Sequence, residues 1–266
     1  MTDSVPTFAV GDITATIGSD HVAHVEMHRP PNNFLDHGLA RDLAIVFERL
    51  DHDTACRAIL LTSEGRHFCA GAALGSADDA VASAGQASNN PIYECAIRLF
   101  STQTPVVAAI EGAAIGGGLG LALVADFRVA SPQARFSANF TRIGLHQGFG
   151  LSVTLPRVVG RQAAQHLLLT GRRIDGDQAA AIGLCDQVVP PTEVRSTAHA
   201  LAAEIASAAP LAVRAVRQTL RSQLAQEVAA ITVHEHQQQQ ILCQTHDHRE
   251  GVAAYSERRE PRFVGA

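Results

Sequence analysis

The spacing of apolar residues divides the chain into a first part that mixes strands with helices and a second part that is helical throughout. In the first part, short apolar runs bounded by turn-forming residues predict strands, and apolar residues three and four apart predict helices. The predicted strands are 8–17, 21–28, 57–62, 106–110, 127–130 and 134–137, and the predicted helices are 36–50, 90–101, 117–124, 150–158 and 161–169. Strands that alternate with helices are typical of an α/β fold.

The second part begins at about residue 192, and its pattern predicts the helices 193–208, 210–220, 223–244 and 247–258. No linker precedes it, so we expect a core unit, residues 1–191, with an attached helical region, residues 192–266. The apolar faces of these helices need a partner surface, and association with copies of the same chain would cover them. Segment 76–90 is small and polar, which favours a mobile loop beside a site.

Two glycine-containing turns follow apolar strands. Strand 106–110 leads to the triplet Gly116-Gly117-Gly118, which opens a helix, and strand 57–62 leads to the turn Phe68-Cys-Ala-Gly71. Such turns leave backbone N–H groups free to hold an anion, and two of them could converge on one oxyanion. A dinucleotide-binding loop is the alternative, but the G-x-G-x-x-G spacing is absent. Close helix packing is a second alternative for the triplet.

The composition excludes several other classes of function. The chain is 46% hydrophobic, carries a formal charge of −5 and has a pI near 6.2, so no attraction to nucleic acid is expected. No apolar run is long enough to cross a membrane, and the N-terminal residues lack the features of a signal peptide, which favours the cytoplasm. Every basic residue in the Lys+Arg count is an arginine, which rules out a lysine Schiff base.

The five cysteines are scattered and have no paired spacing, so a zinc site or a disulfide framework is not expected. Two histidine pairs, His234 with His236 and His246 with His248, lie two residues apart on predicted helices and therefore point to different faces. No metal is expected. Cys69 lies in the first glycine turn, and with no histidine beside it in the motif we interpret it as a packing residue.

The two turns, with their flanking residues, resemble those of the crotonase (enoyl-CoA hydratase/isomerase) superfamily. Further blocks of similarity follow in order along the chain, at 29–34, 65–74, 125–130, 134–136, 143–150, 155–160, 168–172, 180–189 and 249–263. The resemblance implies a spiral of ββα units with a C-terminal helical trimerisation region, as a homotrimer or a dimer of trimers. It implies an acyl-CoA thioester as the ligand and no cofactor apart from the coenzyme A of the substrate.

The resemblance also assigns site residues. It places the two oxyanion donors at the N–H groups of Ala72 and Gly117. The residues it assigns to the substrate and coenzyme A are Arg29, Asn33, Phe34, Ala70, Ala73, Leu74, Gly116, Phe140, Arg259 and Phe263. Arginines near the C-terminus suit the phosphates of coenzyme A, although solvated surface positions are an equally good interpretation.

Two positions depart from the pattern of the hydratases. Where those enzymes carry catalytic glutamates, this chain has Gly120 and Phe140, so hydration by a glutamate pair is not expected. His146 is the leading candidate for a substitute acid or base, because it lies in a loop where a related branch places a functional aspartate. An ordinary loop histidine is an equally good interpretation of this residue.

The sequence therefore predicts an acyl-CoA enzyme, a lyase or isomerase of fatty-acid or related metabolism, that stabilises a thioester enolate at Ala72 and Gly117. One alternative is an acyl-CoA binding protein without catalysis. Another is a different crotonase reaction, such as carbon–carbon cleavage, decarboxylation or thioester hydrolysis.

Overall fold

A seven-stranded sheet forms the centre of the fold, and the computed structural model describes it with the rest of residues 7–73 and 90–266. The first three strands pair antiparallel, and the later strands add to them in parallel. In their order across the sheet the strands are β1 (Thr7–Val10), β2 (Ile13–Ile17), β3 (Val22–Met27), β4 (Ala58–Ser63), β5 (Val106–Ile110), β7 (Phe127–Ala130) and β10 (Gln187–Val188). The predicted α/β class is confirmed.

The prediction of one strand over 8–17 is wrong, because the chain turns back between β1 and β2. Gly11 and Asp12 form the turn, and Val10 pairs with Ile13 directly across it. A glycine followed by an aspartate is a common turn pair, and it interrupts an otherwise strand-like pattern.

Two helices with defined N-caps pack together beside the sheet. They are α1 (His37–His52) and α2 (Pro91–Phe100). The Asp36 side chain accepts a hydrogen bond from Leu39 N, and the Asn90 side chain accepts one from Ile92 N, as is usual for residues that begin a helix. The predicted starts of both helices are confirmed. The predicted loop 76–90 lies, apart from Asn90, outside the described residues.

A smaller sheet has three strands. It contains β6 (Ala113–Ile115), β8 (Arg135–Ser137) and β9 (Arg173–Asp175). Short helices connect these strands to the rest of the chain, namely α3 (Gly117–Ala122), a 3₁₀ turn (Asn139–Ile143) and α5 (Gly176–Ala181). The longer α4 (Leu151–Thr170) has non-helical backbone angles at Gly160, which agrees with the two separate helices predicted there.

The C-terminal region is helical, as predicted. After a 3₁₀ turn (Pro191–Glu193) it forms α6 (Val194–Ser207), α7 (Pro210–Arg221), α8 (Leu224–Leu242) and α9 (His246–Glu257). Within 7–73 and 90–266, no helix has both the length and the apolar character that a membrane span requires.

Two apolar cores lie on opposite faces of the large sheet. The larger core fills the space between the sheet and α1 to α4. The smaller core covers the opposite face, where Val194, Ala198 and Ala202 of α6 pack on Leu60 and Val107. Neighbouring strand residues point to opposite faces, so strands such as β4 are buried on both sides and are apolar almost throughout.

Helix α7 is attached to the sheet by a buried group of charges. Arg217 and Arg221 donate to the two carboxylate oxygens of Asp126, at 2.8 and 2.6 Å. Val106 N donates to the same carboxylate at 2.8 Å. Asp126 is therefore a structural acceptor. The outer side of α7 exposes Leu211, Val216 and Leu220, which are 82%, 59% and 76% accessible.

Candidate active site

The two glycine-containing turns lie side by side. Cys69 and Ala114 pair as an isolated parallel bridge, in which Cys69 N donates to Ala113 O at 2.9 Å and Ile115 N donates to Cys69 O at 3.0 Å. Ala72 and Gly117 each lie three residues beyond this bridge, on neighbouring segments that run in the same direction. The pairing therefore brings the two predicted donor positions to one end of the small sheet.

Glycine is required at both turns. Gly71 has φ of +87°, and a Cβ on it would lie 2.8 Å from Ile115 O. Gly116 has φ of +55°, a conformation that other residues adopt at a cost. Among the described residues, neither Ala72 N nor Gly117 N donates a hydrogen bond to a protein acceptor. Two N–H groups are thus held in place with their hydrogen-bonding capacity available to a ligand.

Both donors line a cavity of about 70 Å³. The described residues around it are Leu35, Ala72, Asn90, Ile92, Tyr93, Gly117, Phe140, Gly148, Phe149 and Gln239. None of these described residues carries a charge. The wall is mainly apolar, with three polar side chains, which is the usual character of a small-molecule site.

Phe149 occupies the space in front of Gly120. A Cβ on Gly120 would lie 2.9 Å from both Cβ and Cδ1 of Phe149, closer than side-chain carbons approach in folded proteins. Phe149 is buried and has φ of +60°, a strained conformation for a residue with a large side chain. Phe140 also faces the cavity. Aromatic rings thus fill the region around both positions that the resemblance associates with glutamate.

Helix α8 holds the loop that carries Phe149. Glu235 accepts hydrogen bonds from Gly150 N at 2.8 Å and from Ser152 N at 3.0 Å. Burial raises the pKa of the Glu235 carboxyl, against the effect of these donors. Gln239 lies one turn later on the same helix and donates from Nε2 to His146 O at 2.9 Å. The C-terminal region therefore contributes directly to the cavity.

The His146 side chain is half-buried. Its Nδ1 is 2.8 Å from Gln147 O, and its ring meets the His234 ring edge to face at 5.7 Å. Burial lowers the pKa of His146, the Gln147 carbonyl acts in the opposite direction, and His234 lowers the pKa further. Of the described residues, His146 is not one that lines the cavity.

A larger groove of about 800 Å³ lies beside the cavity. Ala70, Ile115 and Asn139 line the groove, and the nearby Ala72, Gly117 and Phe140 line the cavity. The same three segments therefore separate the two spaces.

Arginines lie around this groove. The described residues that line it include Arg66, Arg135 and Arg173, together with Phe34 and Tyr255. Within the described part of the chain, Arg66 and Arg173 form no ion pair with a carboxylate. Their charges suit an anionic group such as a phosphate.

Other predicted binding residues have partners within the chain. Arg29 forms ion pairs with Asp12 and Asp36, at 2.5 and 2.7 Å. Asn33 is fully buried, and its amide donates to the backbone oxygens of Glu64 and His67. Asn33 therefore shapes the loop before α1.

The remaining predictions fall at the edges of the described structure. Arg259 pairs with Glu250 and Glu257 after α9, and Phe263 is 41% accessible. Ala73 is the last residue before the segment that the structure does not describe, and Leu74 lies outside the described residues. The predicted roles of these four residues in binding stay predictions.

Comparison with known proteins places this site in a family. The sequence model for enoyl-CoA hydratase/isomerase matches residues 18–266. The chain belongs to this family. The resemblance inferred from the glycine turns is thereby confirmed, and the chain is an acyl-CoA enzyme by family.

Relatives and solved structures agree with this assignment. The (E)-benzylidenesuccinyl-CoA hydratase of Thauera aromatica is 33% identical over 253 residues, covering 93% of this chain and 97% of the relative. The short-chain-enoyl-CoA hydratase of Clostridium acetobutylicum is 31% identical, covering 90% and 92%. The crystal structure of an enoyl-CoA hydratase/isomerase from Pseudoalteromonas atlantica has a TM-score of 0.84 at 30% identity, covering 96% of this chain and 100% of that one.

Sequence reasoning missed several residues of the site. Tyr93 and Gln239 fall in helical patterns that look like ordinary packing and surface positions, and Phe149 looks like one more apolar residue. Arg66 carried a usable signal, because it lies five residues before Gly71 in the turn already singled out. No local pattern in the sequence points to Arg173, since only the small sheet brings this residue near the groove.

Proposed function

We propose that this member of the family binds an acyl-CoA thioester with its carbonyl oxygen between Ala72 N and Gly117 N and stabilises the enolate of that thioester. The observation that carries the proposal is the pair of free N–H groups on adjacent parallel segments, both facing one cavity. Fixed donors stabilise developing negative charge without reorganising, and the loss of one such donor typically slows an enzyme by about 10²–10³-fold.

The groove suits the coenzyme A part of the ligand. Its arginines can meet phosphates, and the cavity beside it is mainly apolar, as an acyl group requires. The relatives' names refer to CoA thioesters, which supports the same ligand class here. A cavity of about 70 Å³ favours a short acyl group.

The proposed reaction does not use a pair of glutamates. Gly120 and Phe140 stand at the two positions concerned, Phe149 fills the space next to Gly120, and no described residue lining the cavity is a carboxylate. His146 enters the proposal through its backbone carbonyl, which accepts a hydrogen bond from Gln239, and His146 is not among the described residues that line the cavity. We therefore expect His146→Asn to keep most of the activity.

Self-association is part of the proposal. Leu211, Val216 and Leu220 on α7 are large apolar side chains left exposed by the single chain. Copies of the same chain would cover them, and the mass in solution, measured by light scattering, distinguishes a trimer from a dimer of trimers.

The test uses two substitutions at one position. Gly117→Pro removes the N–H, and Gly117→Ala keeps it while adding a Cβ that meets Leu35 Cδ2 at 2.8 Å, the flexible end of a side chain. Enoyl-, 3-hydroxyacyl-, 3-oxoacyl- and aromatic acyl-CoA thioesters are incubated with each variant and followed by mass spectrometry. We expect conversion of at least one thioester by the wild type and by Gly117→Ala, and a loss of about 10²-fold or more in Gly117→Pro.

Two results would contradict the proposal. If Gly117→Pro and Gly117→Ala convert the thioesters equally well, the Gly117 N–H does not take part in the reaction. Binding of acyl-CoA without conversion of any thioester would instead support an acyl-CoA binding protein, an alternative that the uncharged cavity wall favours over hydration.

A further inference from the structure

The His67 side chain adds a hydrogen bond between the two glycine-containing turns. The parallel bridge at Cys69 supplies two hydrogen bonds, one to Ala113 O and one from Ile115 N. In a parallel pair of segments, the next bond would run from Ala113 N to the backbone oxygen of His67. Ala113 N instead donates to Nδ1 of the His67 ring, at 3.2 Å. The imidazole therefore takes the place of the carbonyl of its own residue.

The surroundings of His67 account for this exchange. Its backbone oxygen is occupied, because it accepts hydrogen bonds from Asn33 Nδ2 at 2.7 Å and from Ser63 Oγ at 3.1 Å. Gly112 gives the ring room to reach Ala113 N, since a Cβ on Gly112 would lie 2.7 Å from His67 Nδ1. The ring is thus the acceptor that the fold provides for Ala113 N.

The hydrogen bond fixes the protonation state of the ring. A backbone N–H can only donate, so His67 Nδ1 must carry a lone pair, and the proton of the neutral ring is assigned to Nε2. A second proton, at Nδ1, would place two N–H groups against each other and break the bond. Only the neutral ring therefore joins the two segments.

The charges around His67 favour this neutral form. The charged or titratable residues that line the groove with His67, among those described, are Arg66, Glu111, Arg135, Arg173 and Tyr255. Glu111 is paired with Arg195 at 2.7 Å. Burial lowers the pKa of His67, Arg66 and Arg173 lower it further, and the Arg66 carbonyl acts in the opposite direction. The ring is therefore mainly neutral at pH 7 and takes up its second proton at acid pH.

We propose that His67 is a positioning residue for the oxyanion donors, which its neutral ring holds in register and which protonation of Nδ1 releases. The inference rests on the proposed function, since the donors concerned are Ala72 N and Gly117 N. Ala72 follows His67 by five residues, and Gly117 follows Ala113 by four. Loss of the bond where both segments begin should loosen the position of one donor relative to the other, so acid pH should lower kcat.

The test compares two substitutions of His67 over a range of pH. In His67→Asn, Oδ1 is separated from the backbone by the same number of bonds as Nδ1, so it can accept from Ala113 N without titrating. His67→Leu offers no acceptor. The quantity measured is kcat between pH 5 and pH 8, with a saturating thioester that the wild type converts. A phosphate of coenzyme A titrates in the same range and would alter KM.

We expect kcat of the wild type to fall by up to about tenfold for each pH unit below the pKa of His67, as for any single group that must be unprotonated. His67→Asn should keep kcat at pH 8 within about threefold and lose this acid dependence. His67→Leu should be slower than the wild type by about tenfold at pH 8, the effect of one lost hydrogen bond.

His24→Asn is the matched control. His24 is also half-buried, and burial lowers its pKa, but its ring bonds to Thr62 Oγ1 at 2.9 Å. It is not among the described residues that line the cavity or the groove. His24→Asn should therefore keep the pH profile of the wild type.

Nitrogen-15 spectra of protein with labelled histidines give a readout that does not depend on activity. The His67 signal is identified by its loss in His67→Asn, and it reports which ring nitrogen carries the proton and at what pH the ring titrates. We expect a neutral ring protonated at Nε2 and a fall in kcat that follows the titration of this signal. Protonation at Nδ1 in the neutral ring would overturn the inference.

Two results of the kinetic series would also overturn it, namely an acid dependence of kcat that persists in His67→Asn and a kcat of His67→Leu equal to that of the wild type at pH 8. If no thioester is converted, the proposed function fails, and the same series is measured as the Kd of butyryl-CoA. The ratio of the wild-type Kd to the His67→Asn Kd cancels the titration of the phosphate. A ratio that rises at acid pH supports the inference, and a constant ratio overturns it.

Discussion

Two of the places where the C-terminal helices meet the core of the chain differ in their chemistry. Helix α7 is attached through charges, with Arg217 and Arg221 on Asp126. Helix α8 is attached beside the cavity through an uncharged pair, Tyr93 with Gln239, and through Glu235 on backbone N–H groups. The difference indicates that full charges serve attachment away from the cavity. The described side chains that line the cavity are uncharged, as suits a mainly apolar space.

The largest effect is expected at Asp126. Asp126→Asn leaves Arg217 and Arg221 buried without a counter-charge, and breaking a buried ion pair in this way typically costs about 3–5 kcal/mol. We expect the free energy of unfolding, measured by urea denaturation at pH 7, to fall by about this amount. Glu227→Gln is the control, since Glu227 pairs with Arg157 at the surface and should cost less than about 1 kcal/mol.

The loss of unfolding free energy in Asp126→Asn should become smaller at low pH. Burial acts to raise the pKa of Asp126, but the two arginines and Val106 N outweigh it and hold the pKa below its ordinary value of 3.8. The stabilisation is therefore complete above pH 3.8 and is lost as the pH falls through the lowered pKa. A difference between wild type and Asp126→Asn that grows below that pH would contradict this account.

Glu235 should show a smaller effect with the opposite pH dependence. Glu235→Gln keeps one oxygen for Gly150 N or Ser152 N but turns an amide N–H group toward the other donor. An unsatisfied buried group of this kind costs about 1–3 kcal/mol. Unfolding free energies of the wild type and the variant between pH 4 and pH 8 provide the measurement.

The sign follows from the raised pKa of Glu235, which burial causes. Its protonated form favours the folded state, so this stabilisation is present below the ordinary pKa of 4.5 and is lost as the pH rises through the folded value. The variant does not titrate there, so the cost of the substitution should be largest near pH 4.5 and decrease toward pH 8. A cost that stays constant across this range would show that Glu235 keeps the same charge throughout.

The sequence predicts most of the fold because its signals are local. The apolar spacing of α1 and the caps at Asp36 and Asn90 are each contained within a few neighbouring residues. The two errors in the predicted strands also have local causes. Gly11 and Asp12 interrupt a pattern that otherwise continues, and β6 (Ala113–Ile115) is too short to show any period.

In the candidate site too, the residues with a local sequence signal could be predicted and those that depend on tertiary packing could not. The N–H groups of Ala72 and Gly117 each follow a glycine with positive φ, a position that other residues rarely occupy. The glycines therefore mark both N–H groups in the sequence. Tyr93 and Gln239 meet across 146 positions, and only the packing of α2 on α8 makes one the partner of the other. No spacing rule could have paired them.

The smallest effect is expected at Gly120, where the cavity wall meets α3. Gly120→Ala gains up to about 1 kcal/mol of helix propensity, but the added Cβ lies 2.9 Å from Phe149 Cβ. Overpacking a core costs about 1–3 kcal/mol, so we expect a net loss of about 1 kcal/mol in unfolding free energy.

The same substitution should reverse its sign once Phe149 is shortened. In a Phe149→Gly background, the Cβ and ring atoms beside Gly120 are absent, so Gly120→Ala should stabilise the protein by about 0.5–1 kcal/mol through helix propensity alone. Comparison of the four proteins gives the coupling between the two positions. Additive effects would mean that Phe149 does not exclude a side chain from position 120. Strong coupling would mean that a glutamate at this position needs the loss of Phe149 as well, so a single Gly120→Glu substitution should not restore an acid to the site.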